Sequence, residues 1–117
     1  MVSEVAMIGV GALGLAMAQG LIAAGIGVVG YRRGSLDDLV AAGGRAAGSI
    51  GEAMTGRDVV VTCLPDAAAL EDVFSREGGL LASLVPGLVV IETSTTSVEE
   101  KRRQAARLAE AGGTLLD

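Results

Sequence analysis

The stretch Gly9-Val10-Gly11-Ala12-Leu13-Gly14 decides the fold. It follows the short apolar run Val5-Ala6-Met7-Ile8 and precedes residues 13–24, LGLAMAQGLIAA, which have helical character and stop at Gly25. Glycines in this spacing, between a strand and a helix, suit a backbone that wraps a diphosphate. Gly9 permits the tight turn, Gly11 lets the backbone approach the ligand, and Gly14 lets the helix lie close to the strand. The free amides at the helix start then face the phosphates. The backbone of Val10, Ala12 and Leu13 belongs to the same cradle.

Outward from the cradle, strands and helices alternate. Residues 28–31, VVGY, read as a second strand weakened by Gly30, and Arg32 to Ser35 as a polar turn. Ser35 is placed to cap a helix with Asp37 and Asp38 in its first turn, ending near Gly43-Gly44. Ala46-Ala47 is a very short strand, and Ser49 with Glu52 forms a capping box. Residues 58–64, DVVVTCL, make the clearest strand, ended by Pro65; Asp66 then caps a helix over 67–75. A further short helix is expected over 79–84, a strand over 88–93, a charged amphipathic helix over 97–111 and the start of a strand at 114–116. No hairpin signal interrupts this order, so the expected fold is α/β, with a parallel sheet and helices on both faces.

The end of the second strand bears on the nucleotide. Domains that hold NAD often place an acid about 20 residues past the fingerprint, on the ribose hydroxyls. Here the segment is Tyr31-Arg32-Arg33-Gly34-Ser35, and no acid appears until Asp37. Paired arginines suit a 2′-phosphate through their forked donors, Ser35 adds a hydroxyl, and Tyr31 is either a core residue or a flank for the adenine. The expected cofactor is therefore NADP, with NAD as the second choice.

Composition excludes several other classes. With 117 residues the chain makes one domain of ordinary size. Its 14 acidic and 9 basic residues give a net charge of -5, which argues against a nucleic-acid partner. One cysteine and no histidine leave neither a disulfide within the chain nor a zinc site, so no metal is expected. Apolar runs are too short for a membrane span and the N-terminus lacks the features of a secretory signal, so a cytoplasmic location is expected.

The motifs as a set resemble those of the β-hydroxyacid dehydrogenases, among them 3-hydroxyisobutyrate dehydrogenase, tartronate semialdehyde reductase and relatives of 6-phosphogluconate dehydrogenase. The opening Met7 to Ala18 is similar to theirs, although Leu13 replaces a common Met and Gly20 a common Asn or Ser. Cys63-Leu64-Pro65-Asp66 resembles the family segment that borders the cofactor. Ile91-Glu92-Thr93-Ser94-Thr95-Thr96 resembles its I-D-x-S-T segment, with Glu92 for Asp and Val98 where Pro is common. The resemblance implies a three-layer Rossmann-type domain spanning 1–117. It implies Cys63, Leu64, Pro65 and Thr95 beside the cofactor, with Ser94 on a small hydroxyacid or semialdehyde substrate. It also implies a catalytic lysine on a helical domain beyond residue 117, and a homo-oligomer for the longer protein. Lys101, the only lysine, does not match that catalytic position and reads as a solvated helix residue. The alternatives are a non-catalytic nucleotide-binding or redox-sensing module, an imine reductase-like enzyme, and a methyltransferase, which Arg32-Arg33 and Ser94 to Thr96 fit less well.

Overall fold

The apolar runs within 5–8, 28–31, 58–64 and 88–93 become strands whose alternate residues face opposite ways. The computed structural model describes residues 2–117, in the order β1 (Glu4–Ile8), α1 (Ala12–Ala23), β2 (Gly27–Tyr31), α2 (Asp37–Ala41), β3 (Arg45–Ala46), α3 (Ile50–Met54), β4 (Val59–Thr62), α4 (Ala67–Ser75), β5 (Val89–Glu92), α5 (Val98–Glu110) and β6 (Thr114–Leu116). All strand pairs are parallel, and the sheet order is β3-β2-β1-β4-β5-β6. This is the order of a dinucleotide-binding α/β domain.

The period of two sorts the core into two layers. Val5 and Met7 of β1, Val28 of β2 and Val61 of β4 pack with Ala18 of α1 and Leu39 of α2. Ala6 and Ile8, Val29, Val60 and Val90 face the other way, onto Ile50 of α3, Leu70 and Phe74 of α4 and Leu108 of α5. Gly30, which weakens β2 by propensity, is there for contact. A Cβ on it would collide with Leu39 Cδ2 and lie 3.1 Å from Val10 Cγ2. Without one, α2 rests directly on the strand.

Several local expectations are met by side-chain hydrogen bonds. Ser49 Oγ accepts from the Glu52 amide at 3.0 Å, although Glu52 Oε2 answers on the Gly48 amide at 2.8 Å rather than on Ser49 itself. Asp66 Oδ1 caps α4 through the Ala69 amide at 2.8 Å, and Ser97 Oγ caps α5 through Glu100 at 3.2 Å.

Other local expectations are corrected. Ser35 is not the cap of α2; Leu36 holds that position, and Ser35 Oγ accepts from the Asp37 amide at 3.1 Å. The short strand is Arg45–Ala46 rather than 46–47, and the central strand is four residues long instead of seven. No helix forms over 79–84, which is a series of turns. The reason is that the amides of Leu80 and Leu81 bind the carbonyls of Val73 and Phe74, at 2.8 and 3.1 Å. The segment finishes α4, and fully buried Leu80 anchors it.

Lys101 is not a solvated residue. Its side chain is 16% exposed, and its ammonium lies 3.4 Å from Glu92 Oε2 and 2.7 Å from Asp117 Oδ1. The hydrogen bond to Asp117 raises its pKa above the ordinary lysine value; burial opposes this and the charge of Glu92 adds to it. Glu92 is 1% exposed at the end of β5. An internal carboxylate of that kind needs a cation, and α5 supplies one.

Candidate functional site

The sheet order reverses between β1 and β4, so the loops after these two strands diverge and leave a crevice at their carboxyl ends. A cleft of about 900 Å³ lies there. Gly9, Val10, Gly11, Ala12 and Leu13 form one wall, Tyr31, Arg32 and Arg33 a second, and Cys63, Leu64, Pro65, Ser94 and Thr95 border it from β4 and β5.

The glycine turn is fixed from both sides. Gly9 has φ +89°, its amide donates to the Tyr31 carbonyl at 2.8 Å, and a Cβ there would collide with the Cys63 carbonyl. Gly14 is buried below the cleft rather than lining it; a Cβ on it would sit 2.8 Å from the Gly9 carbonyl. Gly11 differs from both, because a Cβ on it would meet nothing within 4 Å. It faces the open cleft.

Gly11 is also the N-cap of α1 and supplies no side-chain bond. Among the described residues, the amides of Ala12, Leu13 and Gly14 have no acceptor within the chain, whereas α3, α4 and α5 all carry a side-chain cap. Uncapped helical amides beside a cavity that a Cβ would partly fill are a fitting cradle for phosphate oxygens.

Arg32 folds back over this turn. Its Nη1 donates to the Val10 carbonyl and its Nε to the Arg33 carbonyl, each at 3.0 Å. Arg33 reaches across the cleft mouth to Asp72 Oδ2 of α4 at 3.4 Å. Ser35 lies outside the main cleft, in a smaller adjoining one shared with Gly11, Leu15 and Arg32. Tyr31 packs partly on the α3–α5 side of the core and also lines the cleft.

At the other end, Ser94 is 3% exposed and its Oγ accepts from the Leu64 amide at 2.8 Å. The Ser94 amide donates to Glu92 Oε1 at 2.9 Å, and Thr62 Oγ1 to the same oxygen at 3.1 Å. The β4 and β5 ends are thus tied together through Ser94 and Glu92. Thr95 is exposed beside them, and the Cys63 thiol is free.

Sequence reasoning missed the α4 wall of the cleft: Ala68, Ala69, Asp72, Val73 and Arg76, together with Ile8 and Thr93. Position in the fold was the available signal, because a helix after a parallel strand begins on the ligand side of the sheet. The exposure of Asp72 and Arg76 has no marker in the sequence.

Fold and site together define an NAD(P)-binding oxidoreductase domain of the Rossmann type. Residues 4–117 match the family described as the NAD binding domain of 6-phosphogluconate dehydrogenase. The chain belongs to this family, the NAD(P)-binding domain of the β-hydroxyacid dehydrogenases, close to the 3-hydroxyisobutyrate dehydrogenase-like enzymes.

It is 38% identical to the NAD-dependent L-serine dehydrogenase of Pseudomonas aeruginosa over 116 residues, which are 97% of this chain and 39% of that enzyme. The structure of Mycobacterium tuberculosis 3-hydroxyisobutyrate dehydrogenase with L-serine superposes with a TM-score of 0.90 at 28% identity, covering 98% of this chain and 39% of that one. A Streptomyces aurantiacus imine reductase superposes at 0.84 with 32% identity, covering 96% and 39%. The chain therefore spans about two-fifths of the length of the relatives it matches. Among the described residues, no helix is long and apolar enough to cross a membrane.

Proposed function

We propose that this chain is the cofactor-holding half of an NADP-dependent dehydrogenase acting on a small β-hydroxyacid or semialdehyde. The carrying observation is the pairing of an uncapped glycine cradle with Arg32 and Arg33 on the same cleft, with no acid at the end of β2. When bound, the nicotinamide cofactor supplies hydride transfer at its ring. The chain's own residues bind and orient. The amides of Ala12 and Leu13 hold the diphosphate, and Arg33, with the remaining nitrogen of Arg32, holds the 2′-phosphate. Ser35 lies beside that end, and Tyr31 flanks the adenine. Leu64 and Pro65 line the path between the two ends of the cleft. Thr95 stands near the nicotinamide end, and Ser94 keeps a hydroxyl proton to donate to a substrate oxygen.

Proton transfer belongs to a lysine outside these residues. Lys101 is committed to Glu92 and Asp117 and does not line the cleft. The longer protein is a homo-oligomer in this reading, with the substrate pocket completed by a helical domain. A second reading, an imine reductase, is favoured by the likeness to such structures; the Ser94-Thr95 pair at the cleft supports the hydroxyacid reading over it.

Titration of the chain with NADPH and NADH, followed by the fluorescence of the reduced nicotinamide or by calorimetry, tests the cofactor. At least tenfold tighter binding of NADPH is expected. Tighter NADH binding, as the NAD-dependent relative would suggest, refutes the arginine argument; no binding of either refutes the cradle. The substrate class is tested by assaying the longer protein with 3-hydroxyisobutyrate, L-serine and a cyclic imine.

A further inference from the structure

We propose that Asp72 tunes cofactor choice, by occupying Arg33 and Arg76 as an internal anion where the cofactor's 2′-phosphate would otherwise sit. The inference rests on the reading of Arg33 as a 2′-phosphate ligand and adds a residue that works against it. All three side chains line the cleft. Arg33 follows β2, while Asp72 and Arg76 belong to the end of α4, so their contact spans the cleft mouth across 39 positions of sequence. A single oxygen, Asp72 Oδ2, serves both cations, at 3.4 Å from Arg33 and 3.8 Å from Arg76. Two arginines converging on one anionic oxygen from opposite walls form the arrangement a phosphate monoester takes.

The carboxylate holds this place weakly. The Arg33 side chain is 83% exposed and that of Asp72 43%, and exposed pairs of this kind contribute little. A phosphate, with nearly two charges and three acceptor oxygens, displaces it. Displacement does not remove the carboxylate, which stays on α4 next to the arriving phosphate and repels it. Asp72 therefore lowers affinity for the phosphorylated cofactor while leaving the unphosphorylated one almost untouched. An NADP site with this residue discriminates less sharply than its arginines would allow.

The test is titration of the chain and its D72N variant with adenosine 2′,5′-bisphosphate and with 5′-AMP, in low salt and in 0.5 M salt, alongside R33A. D72N is expected to bind the bisphosphate about three- to tenfold more tightly in low salt, with 5′-AMP changed by less than about twofold. Salt should shrink the gain, because the effect is between exposed charges. Unchanged or weaker bisphosphate binding by D72N, where R33A weakens it, overturns the role of Asp72 and leaves the arginine reading standing. If R33A binds the bisphosphate as well as the unmodified chain does, the arginine reading itself fails. Asp72 makes no buried contact, so a melting curve unchanged by D72N separates binding effects from loss of fold.

Discussion

Gly11→Ala and Gly9→Ala separate the stability of the cradle from its function, although each adds only one methyl to the same turn. At Gly11 the new Cβ meets nothing within 4 Å, and φ -89° with ψ -159° is an extended conformation that alanine adopts. The one structural cost is a poorer N-cap, about 1 kcal/mol or less. For a domain of this size that lowers Tm by about 4 °C. The methyl points into the cleft where the diphosphate would approach, so cofactor affinity should fall at least about tenfold, or 1.4 kcal/mol.

At Gly9 the balance is reversed. Alanine must take φ +89°, and its Cβ collides with the Cys63 carbonyl and comes within 2.8 Å of Leu64 Cδ2. The left-handed conformation alone costs roughly 1–2 kcal/mol, and a backbone collision that moves β4 relative to β1 adds about as much again. A loss of about 3 kcal/mol is a large share of the 5–15 kcal/mol of a typical domain. Thermal melts and NADPH titrations of both variants check this. A Gly11→Ala protein that melts normally and binds normally refutes the claim that the α1 amides hold the diphosphate.

Lys101→Met should destabilise the chain by about 2–3 kcal/mol, because it leaves the Glu92 carboxylate buried beside no cation. The double variant E92Q/K101M should recover at least half of that by chemical denaturation; a double variant as unstable as the single one would show that the charge pair is not the cause. Ser94→Ala removes the acceptor of the Leu64 amide, so NADPH affinity should drop about threefold or more with a Tm loss of a few degrees, read by titration and melting. The chain should also lose stability in acid. Burial raises the pKa of Glu4, but its hydrogen bonds and ion pairs with Arg57 and Arg45 outweigh this and hold it below the ordinary value of 4.5. Glu71 is held low by Ser75 and Arg107, and Glu100 by Arg103 and Gln104. Groups whose folded pKa is lowered contribute stability above the unfolded value and lose it as pH falls through the folded one. Tm should therefore be nearly flat down to about pH 5 and decline below about 4.5, and a flat Tm to pH 3 would contradict these pairings.

The features visible in the sequence are those in which cause and effect lie a few residues apart. The caps by Ser49 and Asp66 each act on an amide three residues on, and the glycine spacing of the cradle is equally local. The segment 79–84 shows where local reading stops. Its composition allows a helix, but the amides of Leu80 and Leu81 are taken by carbonyls seven residues back, at the end of α4. Gly30 is a poor strand residue by propensity and a necessary one by packing, because Leu39 of a different element fills the space of its Cβ.

The site divides in the same way. The sequence alone determined that a strand, a glycine turn and a helix follow one another, and that arginines rather than an acid follow the second strand. Those facts depend on backbone conformation and residue identity within short segments. Only the tertiary structure decided that Gly14 supports the cleft from below while Gly11 opens into it, that α4 makes the remaining wall, that Arg33 meets Asp72 across the mouth, and that Lys101 neutralises Glu92. Such pairings depend on which strands lie side by side and which helix covers them. Burial and Coulomb attraction act between residues that the chain brings together only after the sheet has formed.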